Sequence, residues 1–437
     1  MNRKPQSRHV VVGTALLSLW GALTLFTARP LAAQQPAQAK PAAASAPLHT
    51  YAQQRDFLAQ FTSVLELSDG RGGVVAVCPE WQGRVMTSAC DGPDGVGFGW
   101  INEKFIRDKK PNKQFNNYGG EDRFWLGPEA GQFGLWFAPG KPQTFAEWTT
   151  PEALNAGPFS VLQRKEASYF QLSRELQVKN ASGAAFNFSA SRDVRLLSSY
   201  HFGEFFGAEA AKLVDDKKLK LVGFETRNTL TNKGAPLKRD TGLVSLWILG
   251  MFKPGAQTAI VVPYRTGDDK ELGPIVNTDY FAAIPPERLR TLPAAVLFRG
   301  DGEYRSKLGV SPRRVKPAAG AIDFADGSLT LVHFSLPAEP AKAAYVNNAW
   351  KLPQAEPLAG DAFNSYNDGP TEPGKPSLGG FYELESLSPA EELAAGASLT
   401  HHHRTFHVRG EPAALAELLK LTLGVDANEV KKFLENK

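Results

Sequence analysis

The stretch Phe224–Asn232, FETRNTLTN, reads as a β-strand, and that reading sets the class of the chain. Side chains alternate across a strand, so Glu225, Arg227 and Thr229 share one face while Thr226, Asn228 and Leu230 share the other. Leu246-Trp247-Ile248 follows as the expected hairpin partner. These positions either line a groove or form cross-strand pairs. Outward from this stretch the same kind of run recurs, short and apolar or alternating, bounded by Gly, Pro, Asn and Asp. Gly73–Cys78, Arg84–Ala89, Gln132–Phe137, Ala185–Leu196, Leu243–Lys253, Ser328–Ser335 and Ala397–Arg409 are examples. Many short strands with turn signals predict an all-β sandwich or barrel, and the absence of βαβ alternation disfavours a parallel sheet.

No Pro/Ser-rich break interrupts 64–410, so the strands are assigned to one large domain. Tyr51–Phe61 carries Phe57, Leu58 and Phe61 at helical spacing, and Pro412–Leu423 and Ala427–Leu434 read as amphipathic helices with Gly424 as the stop between them. The expected organisation is a signal peptide at 1–33, an Ala/Pro/Gln linker at 34–49, a β-sandwich domain with its N-terminal helix at 50–410, and a helical cap at 411–437.

The leader rests on Arg3, Lys4 and Arg8, then an uncharged run from Val10 to Phe26, then Ala32-Ala33 as a small-residue cleavage site. A periplasmic or secreted protein is expected, with no stable membrane insertion after cleavage; an uncleaved anchor is the alternative. Four of the 49 basic residues (Arg3, Lys4, Arg8 and Arg29) fall in 1–33, and the remaining 45 balance 45 acidic residues. The basic balance of the whole chain therefore belongs to the leader, and nucleic acid is not an expected partner. A monomer acting on a small ligand is.

Cys78 and Cys90 both fall in the exported part, which permits a disulfide. Against it, a tight turn at Pro79–Gly83 pairs Cys78 near Arg84 and leaves Cys90 out of bridging range. Both readings stand at this point.

Asn116–Phe137, NNYGGEDRFWLGPEAGQFGLWF, holds the densest candidate chemistry. Gly119-Gly120 permits a close backbone approach, and Glu121, Asp122, Arg123, Trp125 and Glu129 follow. Charged groups beside flat aromatic faces suit a polyhydroxylated ligand; the plain alternative is a turn followed by an ordinary strand. In Gly379–Pro389, GGFYELESLSP, Glu383 and Glu385 share a strand face, and their repulsion suits one of them to general acid or base work. A solvated strand face would explain them as well. His201, among Tyr200, Phe202 and Glu204, is a candidate proton donor or a core histidine. Arg227 and Trp247 are candidate groove residues. His401 and His403 share a face but match no established ligand spacing, so no metal or other cofactor is expected. The chain has no Gly-x-Ser-x-Gly elbow, phosphate loop, His-Glu-x-x-His or dinucleotide fingerprint.

Three segments together resemble the galactose-mutarotase-like β-supersandwich group, which includes aldose epimerases. They are Val74–Ala89 (VVAVCPEWQGRVMTSA), Phe224–Gly234 (FETRNTLTNKG) and Gly380–Thr400 (GFYELESLSPAEELAAGASLT), spanning about 64–410; the Gly119–Phe137 block is similar to a bacterial subfamily within that group. The resemblance implies a large antiparallel supersandwich with short flanking helices and a sugar-binding concave face. It also implies a glutamate base, placed at Glu385 with Glu383 as runner-up, and a histidine acid, placed by position at His201. The chain departs from the pattern in lacking a His-Pro-Tyr-Phe-Asn-like segment and in carrying Ala395-Gly396-Ala397 where Pro-Gly-Glu is usual. The resulting expectation is an exported carbohydrate-binding or carbohydrate-processing protein, with aldose-epimerase-like chemistry if it is an enzyme. The alternatives are a non-catalytic glycan-binding or scaffold protein, or a polysaccharide lyase or hydrolase on the same sandwich.

Overall fold

A computed structural model describes residues 49–435, apart from 166, 256, 282 and 373. The expected leader at 1–33 and nearly all of the linker lie outside the described residues. In chain order the strands are β1 (Leu65–Ser68), β2 (Val74–Cys78), β3 (Arg84–Ala89), β4 (Arg123–Gly127), β5 (Ser160–Lys165), β6 (Tyr169–Lys179) and β7 (Ala185–Leu197). They continue as β8 (Lys220–Asn232), β9 (Ser245–Phe252), β10 (Ala259–Pro263), β11 (Leu289–Thr291), β12 (Ala295–Arg299) and β13 (Ser306–Val310). The last five are β14 (Ala318–Asp323), β15 (Ser328–Phe334), β16 (Phe363–Asn367), β17 (Tyr382–Leu387) and β18 (Ser398–Arg409).

These strands form three sheets, all antiparallel. The largest has ten strands in the order β11-β12-β10-β14-β15-β18-β8-β7-β6-β5, the second five in the order β13-β16-β17-β9-β4, and the third is the meander β1-β2-β3. A mainly β, antiparallel sandwich is therefore what the sequence builds. The hairpin expected between Phe224–Asn232 and Leu246–Ile248 does not form. β8 pairs with β7 and β18 in the large sheet, whereas β9 crosses to the five-stranded sheet between β17 and β4. The linking segment 233–244 is long enough to change layers, so adjacency in sequence does not impose pairing.

Alternation along the strands of the large sheet divides its two faces. Ile260, Val262, Val332 and Phe334 point into the principal core, and Ala259, Val261, Leu329 and Leu331 point into a second one. That second core is closed by the helices Ser199–Phe206, Ala208–Asp216, Pro412–Leu423 and Ala427–Glu435. The two C-terminal helices match expectation, with Gly424 left-handed at φ 73° between them. The pair at 199–216 has no counterpart among the expected helices, which lie only at the two ends of the domain. At the N-terminus Thr50 caps Tyr51–Leu58 in a capping box with Gln53. Gln132–Phe137, expected as a strand, is irregular.

Cys78 and Cys90 are both buried free thiols, and Cys78 is opposite Arg84 in the β2–β3 register. The disulfide alternative is thus set aside. Among the described residues no helix is long and apolar enough to cross a membrane.

The histidine run on β18 serves the interior. His401 and His403 are buried and meet the Ser386 hydroxyl of β17 at 2.7 and 2.8 Å, while His407 stands 2.9 Å from Glu121. His402 points the other way, 3.2 Å from Glu225. The odd-numbered histidines thus face the interior between the layers, while the opposite face carries His402 at its partly exposed end and Phe406 and Val408 in the second core. Among the described residues, no group of three or more His, Cys, Asp or Glu is arranged to hold a metal ion.

Candidate active site

The five-stranded sheet places the site. On β17, Ser386 points back to the histidines of the large sheet, so Glu383 and Glu385 point to the opposite face. In the register of the sheet, Glu385 sits between Leu249 of β9 and Asn364 of β16, and Glu383 between Met251 and Tyr366. Trp125 pairs with Trp247 and Arg123 with Leu249 along β4–β9, and Lys307 pairs with Tyr366 along β13–β16. Connections from 102–117, 129–148, 280–281, 350 and 377–381 fold over this face and enclose a cleft of about 310 Å³. That is the lower end of the size range of small-molecule sites.

Two ion pairs hold the floor. Arg123 Nη2 lies 3.0 Å from Glu383 Oε1, and Lys307 Nζ lies 2.9 Å from Glu385 Oε2. Glu385 Oε2 also accepts the indole N–H of Trp247 at 2.9 Å, while its Oε1 is buried without a hydrogen-bond partner. The Arg123 guanidinium lies 3.9 Å over the Trp125 ring and 5.1 Å from that of Phe115, an arrangement that fixes its plane. Burial, with the Glu385 charge beside it, raises the Glu383 carboxyl to about 8 against the pull of Arg123. Glu129 closes one side, its Oε1 accepting Trp148 Nε1 at 2.7 Å, and burial raises its pKa too. Tyr280 donates to Asp361 Oδ2 at 2.6 Å and accepts from Asn364 Nδ2 at 3.0 Å. Asp368 fixes the covering loop by accepting the Tyr366 hydroxyl at 2.9 Å and the Gly379 and Gly380 amides at 2.8 and 2.7 Å.

Of the residues singled out in the sequence, Arg123, Trp125, Glu129, Trp247 and Glu383 line this cleft, and Glu385 lies beneath them in contact with Lys307 and Trp247. The other four are elsewhere. Glu121 is buried between layers, accepting from the Ser88 amide and hydroxyl and facing His407. Asp122 pairs with the buried guanidinium of Arg192 and accepts the Thr226 hydroxyl at 2.7 Å. Asp122 precedes the cleft residue Arg123 by one position and so points to the other face of the chain; Glu121 lies before β4 begins, where strand alternation with Arg123 does not apply. Arg227 faces outward on the large sheet, 3.7 Å from Asp193. His201 sits in the first turn of its helix, its Nδ1 taking the Ser198 amide at 3.1 Å as an N-cap contact. It does not line the cleft.

Sequence reasoning missed Lys307, Arg305, Tyr280, Phe281, Trp148 and Trp350, all cleft-lining. No local motif marks them; Lys307 alone carried a signal, as a charged residue inside the apolar run Ser306–Val310.

The fold and the cleft define an antiparallel β-sandwich protein with an aromatic-walled, ion-paired site on its smaller sheet. Residues 49–434 match the family described as "Family of unknown function (DUF6786)", and the chain belongs to that family. Its fold is similar to that of galactose-mutarotase-like structures. A candidate aldose 1-epimerase from Escherichia coli K12 matches with a TM-score of 0.46 at 13% identity, covering 79% of this chain and 98% of that one. A galactose mutarotase-like protein from Lactobacillus casei matches at 0.43 and 10%, covering 79% and 99%. A galactose mutarotase related enzyme from Lactobacillus acidophilus matches at 0.42 and 7%, covering 80% and 98%. No curated protein matches the chain.

Proposed function

We propose that the protein binds a carbohydrate in this cleft and that Glu383 exchanges a proton with it. The observation that carries the reading is the pair Glu383/Glu385, each with its own cation, on the floor of a sugar-sized cleft walled by Trp125, Trp148, Trp247 and Phe115. Ring faces suit the C–H face of a pyranose, and charged groups suit its hydroxyls. Glu383 lines the cleft and has a raised pKa, which suits a group that must hold and release a proton near neutral pH. Arg123, 3.0 Å away, is placed to stabilise negative charge developing on the sugar oxygen. Glu385 is buried under Trp247 and Lys307, which favours an electrostatic role over direct proton abstraction. The reaction class is acid/base isomerisation of a sugar. Export is part of the proposal, on the strength of the basic, apolar and small-residue pattern of residues 1–33.

A second reading, glycan binding without turnover, is favoured by the near-complete burial of both carboxylates. A sugar-library thermal-shift screen followed by NMR of the ligand's anomers and epimers tests both. Glu383→Gln is expected to abolish turnover and keep binding; full turnover in that variant overturns the catalytic assignment, and binding without turnover in the wild type selects the second reading.

A further inference from the structure

Arg305 breaks the pairing rule of the cleft. Arg123 and Lys307 each meet a carboxylate, at 3.0 and 2.9 Å. Among the described residues no carboxylate lies within ion-pair distance of Arg305, although it lines the same cleft. Its neighbours are aromatic: the guanidinium lies 4.0 Å over Phe281 and 5.9 Å from Phe145, and Tyr366 offers one hydroxyl contact. Its Nε is buried and has no hydrogen-bond partner. Arg305 lies immediately before β13 and two residues before Lys307, and both side chains reach the cleft. The remaining cleft carboxylate, Glu129, is turned to the indole N–H of Trp148 at 2.7 Å. Two ion pairs therefore close in the cleft, Glu129 is turned away to an indole, and Arg305 is the cation left without a carboxylate.

A guanidinium stacked on a phenyl ring keeps its edge free, and that edge matches a carboxylate in bidentate geometry. A single such cation balances a single negative charge. A dianionic phosphate would call for a second donor group, and no other unpaired cation lines the cleft among the described residues. We propose that the ligand carries a carboxylate and that Arg305 binds it, so that the cleft takes a uronic acid or a saccharide ending in one. This rests on the carbohydrate reading and narrows it.

The test is isothermal titration of the exported chain at low salt with D-glucuronate and D-galacturonate, their neutral parents D-glucose and D-galactose, and D-glucose 6-phosphate. One uronate is expected to bind at least about tenfold more tightly than its neutral parent, as one charge-assisted contact warrants. Arg305→Met is expected to bring that uronate to parity with its parent, and its near-ultraviolet circular dichroism reports whether it folds. Should that variant fail to fold, salt dependence in the wild type decides: uronate affinity is expected to fall with added salt while that of the parent does not. Equal or tighter binding of the neutral parent overturns the inference and leaves the carbohydrate site standing. A preference for the phosphate ester overturns the carboxylate. Silence from every sugar overturns both.

Discussion

Glu383 and Glu385 stand two positions apart on one strand, point to the same side of the sheet and share no cation: Arg123 meets the first at 3.0 Å and Lys307 the second at 2.9 Å. Two like charges side by side are tolerated in this buried place because each has a separate counter-charge, and because one of them is held closer to its neutral form.

The second ion pair should be structural. Lys307→Met leaves Glu385 buried with only the Trp247 indole as partner, a loss of about 3–5 kcal/mol in urea unfolding. Adding Glu385→Gln to that variant should recover much of the loss. A single variant as stable as the wild type would show that the pair contributes little.

Stability should carry the signature of Glu383. Its folded pKa is raised from 4.5 to about 8, so the folded chain keeps a proton that the unfolded chain has released. Stability attributable to this group is present below about pH 4.5 and is lost as pH rises towards 8, with a slope of at most about 1.4 kcal/mol per pH unit. Comparing the pH dependence of denaturant midpoints for wild type and Glu383→Gln isolates it: the variant's curve should be flatter across that window.

The β18 histidines act in the opposite sense. Burial lowers His401 well below its ordinary value and His403 to about 4, so both stay neutral in the fold. The unfolded chain takes up their protons below 6.5, and stability should fall as pH drops from there towards 4. His403→Gln should shallow the acid limb of the thermal midpoint against pH; an unchanged limb would assign acid sensitivity to other groups.

Gly119 has φ 88°, and a Cβ there would stand 2.1 Å from the Trp100 carbonyl oxygen. Gly119→Ala should cost about 1–3 kcal/mol from backbone strain alone, and more from the clash. Equilibrium unfolding measures this; a loss under about 0.5 kcal/mol would mean that the segment relaxes freely.

His201→Ala should leave ligand binding unchanged and cost at most about 1 kcal/mol through the lost N-cap contact. Reduced affinity in that variant would tie the 199–206 helix to the cleft.

Much of the architecture was legible because alternation is a local property. The runs at β2, β3, β7, β15 and β18 declared themselves, as did the shared face of Glu383 and Glu385. Pairing was less legible: β8 and β9 are neighbours in sequence but belong to different sheets, a choice made by packing between layers rather than by either strand. The Asn116–Phe137 block was half readable. Arg123, Trp125 and Glu129 do reach the cleft, while Glu121 and Asp122, charged residues immediately before Arg123, serve His407 and Arg192. Arg305 and Tyr280 were invisible, and Lys307 only a charge out of place in a strand, because their meaning comes from partners found only in three dimensions: Lys307 from Glu385, Tyr280 from Asp361 and Asn364, and Arg305 from the lack of an acid.

The anchors Glu121 and Asp122 directly precede the cleft residue Arg123, so the floor of the site is bolted to the larger sheet at the point where it begins. Its rim comes from separate connections that carry Phe115, Trp148, Phe281 and Trp350. Framework and rim are thus modular. Relatives could exchange one loop at a time and drift in ligand preference while inheriting the same charged floor, and a protein engineer could graft rims onto this scaffold without reopening its interior.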